Sequence, residues 1–339
     1  KIFIIAEAGV NHNGSIKKAF ELIKVAKKAG ADGVKFQIFD KYEQISNIAE
    51  TAPYQNKATN KKKMLDMAKN YDFEWKNHIK LKKFCNKINI EYLASVFDKK
   101  SVDFYLKTLK AKTIKIASSE IDNLRLLKYI NNNCNSVILS TGMSSITEIQ
   151  KAIKILSNVK YLSLLQCTSL YPTKIEDVNL NVLKTFKDKF KLPIGFSDHT
   201  TGNISAIISV GLGASIIEKH FTLNKKLPGP DHKMSLNSNE LTSYISEIRE
   251  AEKSLGSENK IANKEEKLMI KYARRGLFAA RNIKKDKIIT HEDICYKRPA
   301  IYTSISDEKK LLGRKAKLFI KEGSPIKKNT WKQKKVLSF

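Results

Sequence analysis

Cysteine is scarce and dispersed. Cys85, Cys134, Cys167 and Cys295 are the only four in 339 residues and form no C-x-x-C pair. That spacing excludes a disulfide framework and a zinc knot. No run of 18 or more apolar residues occurs, so no membrane-spanning helix is expected. No signal-peptide pattern opens the chain. It starts on the apolar run 2–6 without an initiator Met, and a few trimmed residues are expected there. Together these absences predict a soluble cytoplasmic protein with no membrane partner. Acidic residues are also few, 34 Asp and Glu against 63 Lys and Arg, a formal net charge of +29. The excess is mostly lysine scattered along helical faces, densest at 270–339, where 20 basic residues face 6 acidic ones. Scatter of this kind suits an anionic small substrate better than nucleic acid, which is not expected as a partner. An apolar fraction of 42% excludes a disordered chain.

What is present is an alternation. Short β-rich runs at 3–7, 33–39, 92–97, 113–118, 136–140, 161–167, 193–197 and 214–220 alternate with amphipathic stretches. The helical stretches are 16–29, 73–88, 99–109, 123–132, 145–157, 177–190, 202–211 and 238–255. Several strands are apolar on both faces, as in a parallel sheet covered on both sides. Eight β/α units in this length predict a closed (β/α)8 TIM barrel. The alternative, an open doubly wound sheet, lacks its Gly-rich loop: the first strand is followed by Gly9-Val10-Asn11-His12-Asn13-Gly14, which is not G-x-G-x-x-G. The connection 40–72 is long enough for a lid or binding loop. Beyond residue 255 the pattern changes to short β pieces with turns. The expected division is a catalytic barrel at 1–258, a polar linker at 259–274 and a small, mostly β domain at 275–339. So small a core is expected to dock on the barrel or on a partner.

Active sites of such barrels lie at the C-terminal ends of the strands. There the sequence places Glu7, Lys35, Gln37, Ser95, Lys115, Ser118, Glu120, Ser140, Gln166, Tyr171, Ser197, Asp198, His199, Glu218 and His220. His199 and His220, one β/α unit apart, suit a borderline divalent ion completed by water and substrate oxygens; two hydrogen-bonded histidines without metal are the alternative. Lys35 and Lys115 with Ser118, Ser140 and Ser197 suit a phosphate or carboxylate, against an alternative of barrel salt bridges. Glu7, Glu120 and Asp231 are candidates for acid/base work or sugar hydroxyl binding, or for balancing the lysines. Asp231 sits at the tip of a stiff Pro/Gly segment, 227–233. His12 is a candidate rim residue, and His78 and His291 are expected at the surface. The methionines and most aromatics read as core.

These residues carry a resemblance. Segments 6–15, 34–37, 115–120, 139–143, 167–172, 195–200, 217–222, 228–231 and 297–299 occur in the order found in the sialic acid synthase family, which includes N-acetylneuraminate and legionaminic/pseudaminic acid synthases. The resemblance spans nearly the whole chain. It implies a barrel followed by an antifreeze-like (SAF) domain, in a homodimer whose small domain covers the partner's barrel. It implies that His199 and His220 ligate a Mn²⁺-like ion. Lys115, Ser118, Ser140, Ser169 and Ser197 fall where the family holds phosphoenolpyruvate. Glu7, Lys35, Gln37, Ser95, Glu120, Tyr171 and Asp231 fall at the sugar, and Arg298 of the second subunit would grip its N-acetyl group. There are three departures. The third strand ends Ala94-Ser95-Val96-Phe97 where members often read Ser-Thr-Pro-Phe. Gln166 stands where many have His, and Ser169 where some have Asn.

The resemblance implies a metal-dependent condensation of phosphoenolpyruvate with N-acetylmannosamine or a related 2-acetamido hexose, releasing phosphate by C–O cleavage. The alternative sugar is a 2,4-diacetamido-2,4,6-trideoxy hexose, giving legionaminic or pseudaminic acid. A Schiff-base aldolase using Lys35 or Lys115 is a more remote rival, and a barrel that binds carbohydrate without catalysis is another.

Overall fold

The computed structural model describes residues 1–71 and 73–331. The chain divides into two compact units, Lys1–Gly256 and Ser257–Phe339.

In the first unit eight parallel strands close into a barrel in chain order. They are β1 (Phe3–Gly9), β2 (Gly33–Ile38), β3 (Glu91–Val96), β4 (Thr113–Ile116), β5 (Ser136–Ser140), β6 (Tyr161–Cys167), β7 (Ile194–Asp198) and β8 (Ile216–His220). The helices are α1 (Ile16–Ala29), α2 (Lys41–Gln44), α3 (Pro53–Thr59), α4 (Met64–Asn70), α5 (Trp75–Ile88), α6 (Lys99–Asp103), α7 (Leu124–Asn133), α8 (Ile146–Ile155), α9 (Val182–Phe190), α10 (Ile204–Gly211) and α11 (Ser238–Leu255). Local chemistry sets their ends. Ser15 caps α1, accepting from Lys18 N–H, and Gly30 closes it with φ 90°. Ala19, Leu22, Ile23 and Ala26 put a 3–4 spaced apolar stripe on the strands. α8 and α11 open with capping boxes, Ser145/Glu148 and Asn237/Glu240.

The two-residue period of a strand decides what faces the barrel axis. Ile5, Leu93, Ile138 and Leu165 form an apolar layer inside the barrel, packed by Phe3 and Ile216. Two residues further along those strands come Glu7, Ser95, Ser140, Cys167 and Glu218. The interior is therefore apolar below and polar at the mouth. Residues of the opposite parity, such as Ile4, Phe36, Tyr92 and Leu139, pack outward in the layer shared with the helices.

Three short helices, α2 to α4, occupy the long connection after β2. In the second unit a helix α12 (Lys264–Ala273) precedes β9 (Gly276–Ala279), β10 (Ile294–Lys297) and α13 (Glu308–Leu311). β9 and β10 pair antiparallel. Its core gathers Leu277, Ile283, Ile289, Ile320, Ile326 and Trp331. Most of the stretch read as a linker, 259–274, is thus helical: Asn263 and Glu266 form a capping box. Residues 332–339 of the expected small domain lie outside the described residues. Among the described residues no helix is long and apolar enough to cross a membrane.

Candidate active site

Strand register brings the polar residues together. Glu7 lies opposite Lys35 and His220 on its two neighbours, Gln37 opposite Ser95, Ser95 opposite Lys115, and Ser197 opposite Glu218. They line one cavity of about 460 Å³ at the C-terminal mouth of the barrel.

A buried charge network forms its floor. Lys35 Nζ lies 3.0 Å from Glu7 Oε1 and 3.6 Å from Glu218 Oε1, and donates to Ser95 Oγ at 3.0 Å. Lys115 Nζ lies 3.5 Å from Glu218 Oε1 and donates to Ser140 Oγ at 2.7 Å. Ser197 Oγ donates to Glu218 at 3.1 Å. Burial works to raise the Glu218 carboxyl, but Lys115 and Lys35 outweigh it and hold the acid at about 2. Glu7 is raised by burial to about 7 despite Lys35. Burial pulls the Lys115 ammonium down, whereas Glu218 and Glu7 keep Lys35 up against the same effect. Two lysines thus share one firm carboxylate, leaving positive potential and hydroxyls for an anion. Ser118 Oγ accepts from Gly142 N–H at 2.9 Å, and Ser169 lines the same end.

The imidazoles sit beside it. The His199 and His220 rings are 5.5 Å apart between centroids. His199 Nδ1 donates to the Thr168 carbonyl at 2.8 Å, which leaves Nε2 with its lone pair free. His220 Nδ1 is buried without a hydrogen-bond partner, 3.9 Å from Asp231 Oδ2. Burial, then His199 and Lys35, hold His220 neutral, well below the ordinary imidazole range. Among the described residues no three His, Cys, Asp or Glu side chains converge as a ligand set. The pair fits a divalent ion whose remaining ligands are oxygens from water and substrate. Tyr171 lies between His199, at 4.2 Å, and Tyr54, at 5.3 Å. Asp231 is raised by burial to about 6.

Of the residues picked from sequence, Glu7, Lys35, Gln37, Ser95, Lys115, Ser118, Ser140, Ser169, Tyr171, Ser197, His199, His220 and Asp231 line this cavity. Glu120 does not: the turn after β4 aims it at Ser119 Oγ and Asn123 Nδ2, which donate at 3.1 and 2.8 Å. Arg298 is exposed in the second unit, just after β10. His12 is no rim residue; it is buried, its ring 4.3 Å from that of Phe73. His78 is likewise buried, against the surface expectation, and bonds the Tyr92 hydroxyl at 2.8 Å. The methionines are not all core, for Met64 and Met67 line the cavity and Met143 is exposed. Of the three departures, Ser169 touches the cavity, and the third-strand one reaches it through Ser95. Val96 is not among its lining residues, and Gln166 donates to the Val178 carbonyl at 3.0 Å in a neighbouring hollow. The connection after β2, read from its length as a lid or binding loop, builds one wall of the cavity, but its individual lining residues, Tyr54, Gln55, Met64, Met67 and Tyr71 among them, were not picked out. No strand-end position marks those residues.

A closed (β/α)8 barrel with lysines, hydroxyls and two imidazoles gathered at its C-terminal mouth defines an enzyme acting on an anionic substrate. The chain matches the NeuB family over residues 22–260 and the SAF domain over residues 274–330. It belongs to the NeuB family, and its second unit carries the SAF domain. It is 42% identical to N,N'-diacetyllegionaminic acid synthase of Campylobacter jejuni, over 96% of this chain and 99% of that protein. The protein of the same name from Legionella pneumophila is 38% identical, over 96% of this chain and 93% of that one. Among solved structures, the N-acetylneuraminic acid synthetase of Leptospira borgpetersenii is 34% identical with a TM-score of 0.70, covering 79% of this chain and 90% of that one.

Proposed function

We propose that the chain condenses phosphoenolpyruvate with a 2,4-diacetamido-2,4,6-trideoxy hexose, giving a legionaminic-type nine-carbon acid and inorganic phosphate. The observation that carries this is a single cavity with two chemistries in its lining: Lys115 with its serines, and an apolar set of Val10, Met64, Met67 and Ala68, three of which pack together. An apolar wall suits methyl groups, which a 6-deoxy, doubly acetylated sugar has in excess over N-acetylmannosamine. The relatives named as legionaminic acid synthases support the same choice, and N-acetylmannosamine becomes the second reading.

The reaction forms a bond from C3 of the enolpyruvyl group to the open-chain aldehyde carbon. Water adds at C2, the C2–O bond breaks, and phosphate leaves with that electron pair. Lys115, Ser118, Ser140, Ser169 and Ser197 hold the phosphate, and their fixed positions limit reorganisation. Lys35 orients the carboxylate. Glu7, whose carboxyl burial raises above the ordinary carboxylate range, accepts the proton of the water. Gln37, Ser95, Tyr171 and Asp231 bind the sugar. His199 and His220 would hold a divalent ion, Mn²⁺ in this reading, whose chemistry is to polarise the aldehyde oxygen. A homodimer in the cytoplasm, with Arg298 of a second copy at the acetamido group, completes the proposal.

The decisive experiment offers phosphoenolpyruvate with each sugar to the purified protein and follows phosphate release. A higher kcat/KM for N-acetylmannosamine overturns the sugar assignment, and no turnover with any amino sugar overturns the reaction. Chelation by EDTA should abolish turnover and Mn²⁺ restore it; full activity after exhaustive chelation removes the metal. Co-expressing His199→Ala with Arg298→Ala should recover ~25% of activity if the arginine acts in trans, because random pairing makes half the dimers mixed and leaves half their sites whole.

A further inference from the structure

Asp231 makes no side-chain hydrogen bond among the described residues. Its carboxyl is therefore held in the cavity by the backbone of its loop, and that backbone is fastened from across the barrel seam. Asn11, fully buried in the turn after β1, donates one amide hydrogen to the Phe221 carbonyl at 2.8 Å and the other to Ser235 Oγ at 3.0 Å. Ser235 passes its own hydrogen to the Asp231 carbonyl at 2.6 Å. Phe221 directly follows His220, so one amide ties together the chain on both sides of the His220–Asp231 approach. Asn13 makes a second tie: Nδ2 donates to the Pro228 carbonyl at 2.8 Å, and Oδ1 accepts from His232 Nε2 at 2.9 Å. The other ring nitrogen of His232 accepts from Thr222 Oγ1 at 2.7 Å. Gly229, at φ 153°, lets the loop close on that ring, where a Cβ would meet His232 Cδ2 at 2.6 Å.

We propose that Asn11, Asn13 and His232 are positioning residues that set the Asp231 carboxyl at the sugar end of the cavity. This rests on the reading of Asp231 as a sugar-binding residue. None of the three lines the cavity, so they act indirectly, through the loop that carries Asp231 and, for Asn11, also through the backbone that follows His220.

The test is a double-mutant cycle on the full-length protein with phosphoenolpyruvate and its best sugar. Asn13→Gly keeps the left-handed backbone of Asn13, at φ 48°, and lies near the surface, so folding is preserved. Asn11→Ala removes the buried tie. Each should raise the KM for sugar and lower kcat, by about 10-fold for Asn13→Gly and up to about 100-fold for Asn11→Ala, the scale of a 1 Å misplacement. The KM for phosphoenolpyruvate should stay fixed. In an Asp231→Asn background the same changes should cost less than about 2-fold. Full multiplicative losses there, or an equal rise in both KM values, would overturn the positioning role while leaving the sugar reading intact. An Asp231→Asn variant with unaltered kinetics would overturn both. Independently of turnover, a crystal structure of Asn11→Ala should show Asp231 displaced by about 1 Å with Lys115 in place; an unmoved Asp231 refutes the proposal.

Discussion

Gly142 shows how little slack the anion end of the cavity has. A Cβ there would collide with Ser169 Oγ and come within 3.0 Å of Ser118 Oγ. In Gly142→Ala the flexible Ser169 hydroxyl gives way by turning out of the cavity. One lost hydrogen bond to a charged ligand costs about 2 kcal/mol. Steady-state kinetics should therefore show the KM for phosphoenolpyruvate raised roughly 30-fold, with kcat changed much less. Residues of this end were legible in the sequence because strand parity and the rule about barrel mouths act locally. The role of Glu218 was not. Its partners, Lys35 and Lys115, stand on β2 and β4, and pairing across a barrel leaves no mark in spacing. Glu120 misled for a related reason: the 3-10 turn after β4 swings it towards Asn123. His78 misled because its chain neighbours are polar, although it shares the inner face of α5 with Leu81 and Cys85.

The outward-facing partners of β7 and β8 fasten the segment after β7 that carries His199 to the strand that ends in His220. Lys219 Nζ lies 2.9 Å from Asp198 Oδ2 and donates to the Thr200 carbonyl at 2.6 Å. Asp198 also accepts from Thr200 N–H at 2.8 Å and from the Tyr244 hydroxyl of α11 at 2.9 Å. Asp198→Asn strands a buried ammonium and should cost about 3 kcal/mol, whereas Tyr244→Phe should cost about 1 kcal/mol. Equilibrium urea denaturation checks the order; equal losses would show that the ion pair contributes no more than a neutral bond. All eight β/α alternations were legible, since each rests on short-range apolar periodicity. The helices of the connection after β2 were not. α2 and α3 bury no residue, so they lack the apolar stripe that a sequence displays. The π-turn at Phe104–Thr108, which continues α6, has no compositional signature either.

Each of the two units contains one tryptophan, Trp75 in the barrel and the buried Trp331 in the second unit's core. Trp75→Phe therefore yields a chain whose fluorescence reports the second unit alone. That unit is organised around Asp293, which is fully buried and accepts from Arg281 Nε at 2.6 Å and Thr290 N–H at 3.0 Å. Burial works to raise this carboxyl, but Lys287, Thr290 and Arg281 outweigh it and hold it well below the ordinary value. With the folded pKa depressed, the associated stability is present above the unfolded value of about 3.9 and disappears as pH falls through the folded one. Denaturation followed by Trp331 should show a midpoint that drops below pH of about 4. Asp293→Asn should cost about 2 kcal/mol of stability at neutral pH, which lowers that midpoint, and should flatten its dependence on acid. A variant as acid-sensitive as the parent would disprove the assignment.

The helices α2 to α4 have a cavity on one side and solvent on the other. Their inward residues, Tyr54, Gln55, Met64 and Tyr71 among them, face the cavity. A segment built this way is a partial fold whose missing core is the substrate. Its local opening should be far easier in the empty enzyme than in the complex, because ligand that binds only the closed form adds to its stability by mass action. Lys61, Lys62 and Lys63 are exposed in the middle of it and form a tryptic target. Trypsin should nick the free enzyme there first, and saturating phosphoenolpyruvate with a non-reacting sugar analogue should slow that cut by an order of magnitude or more. Cleavage at the same rate with and without ligand would mean that these helices hold themselves closed.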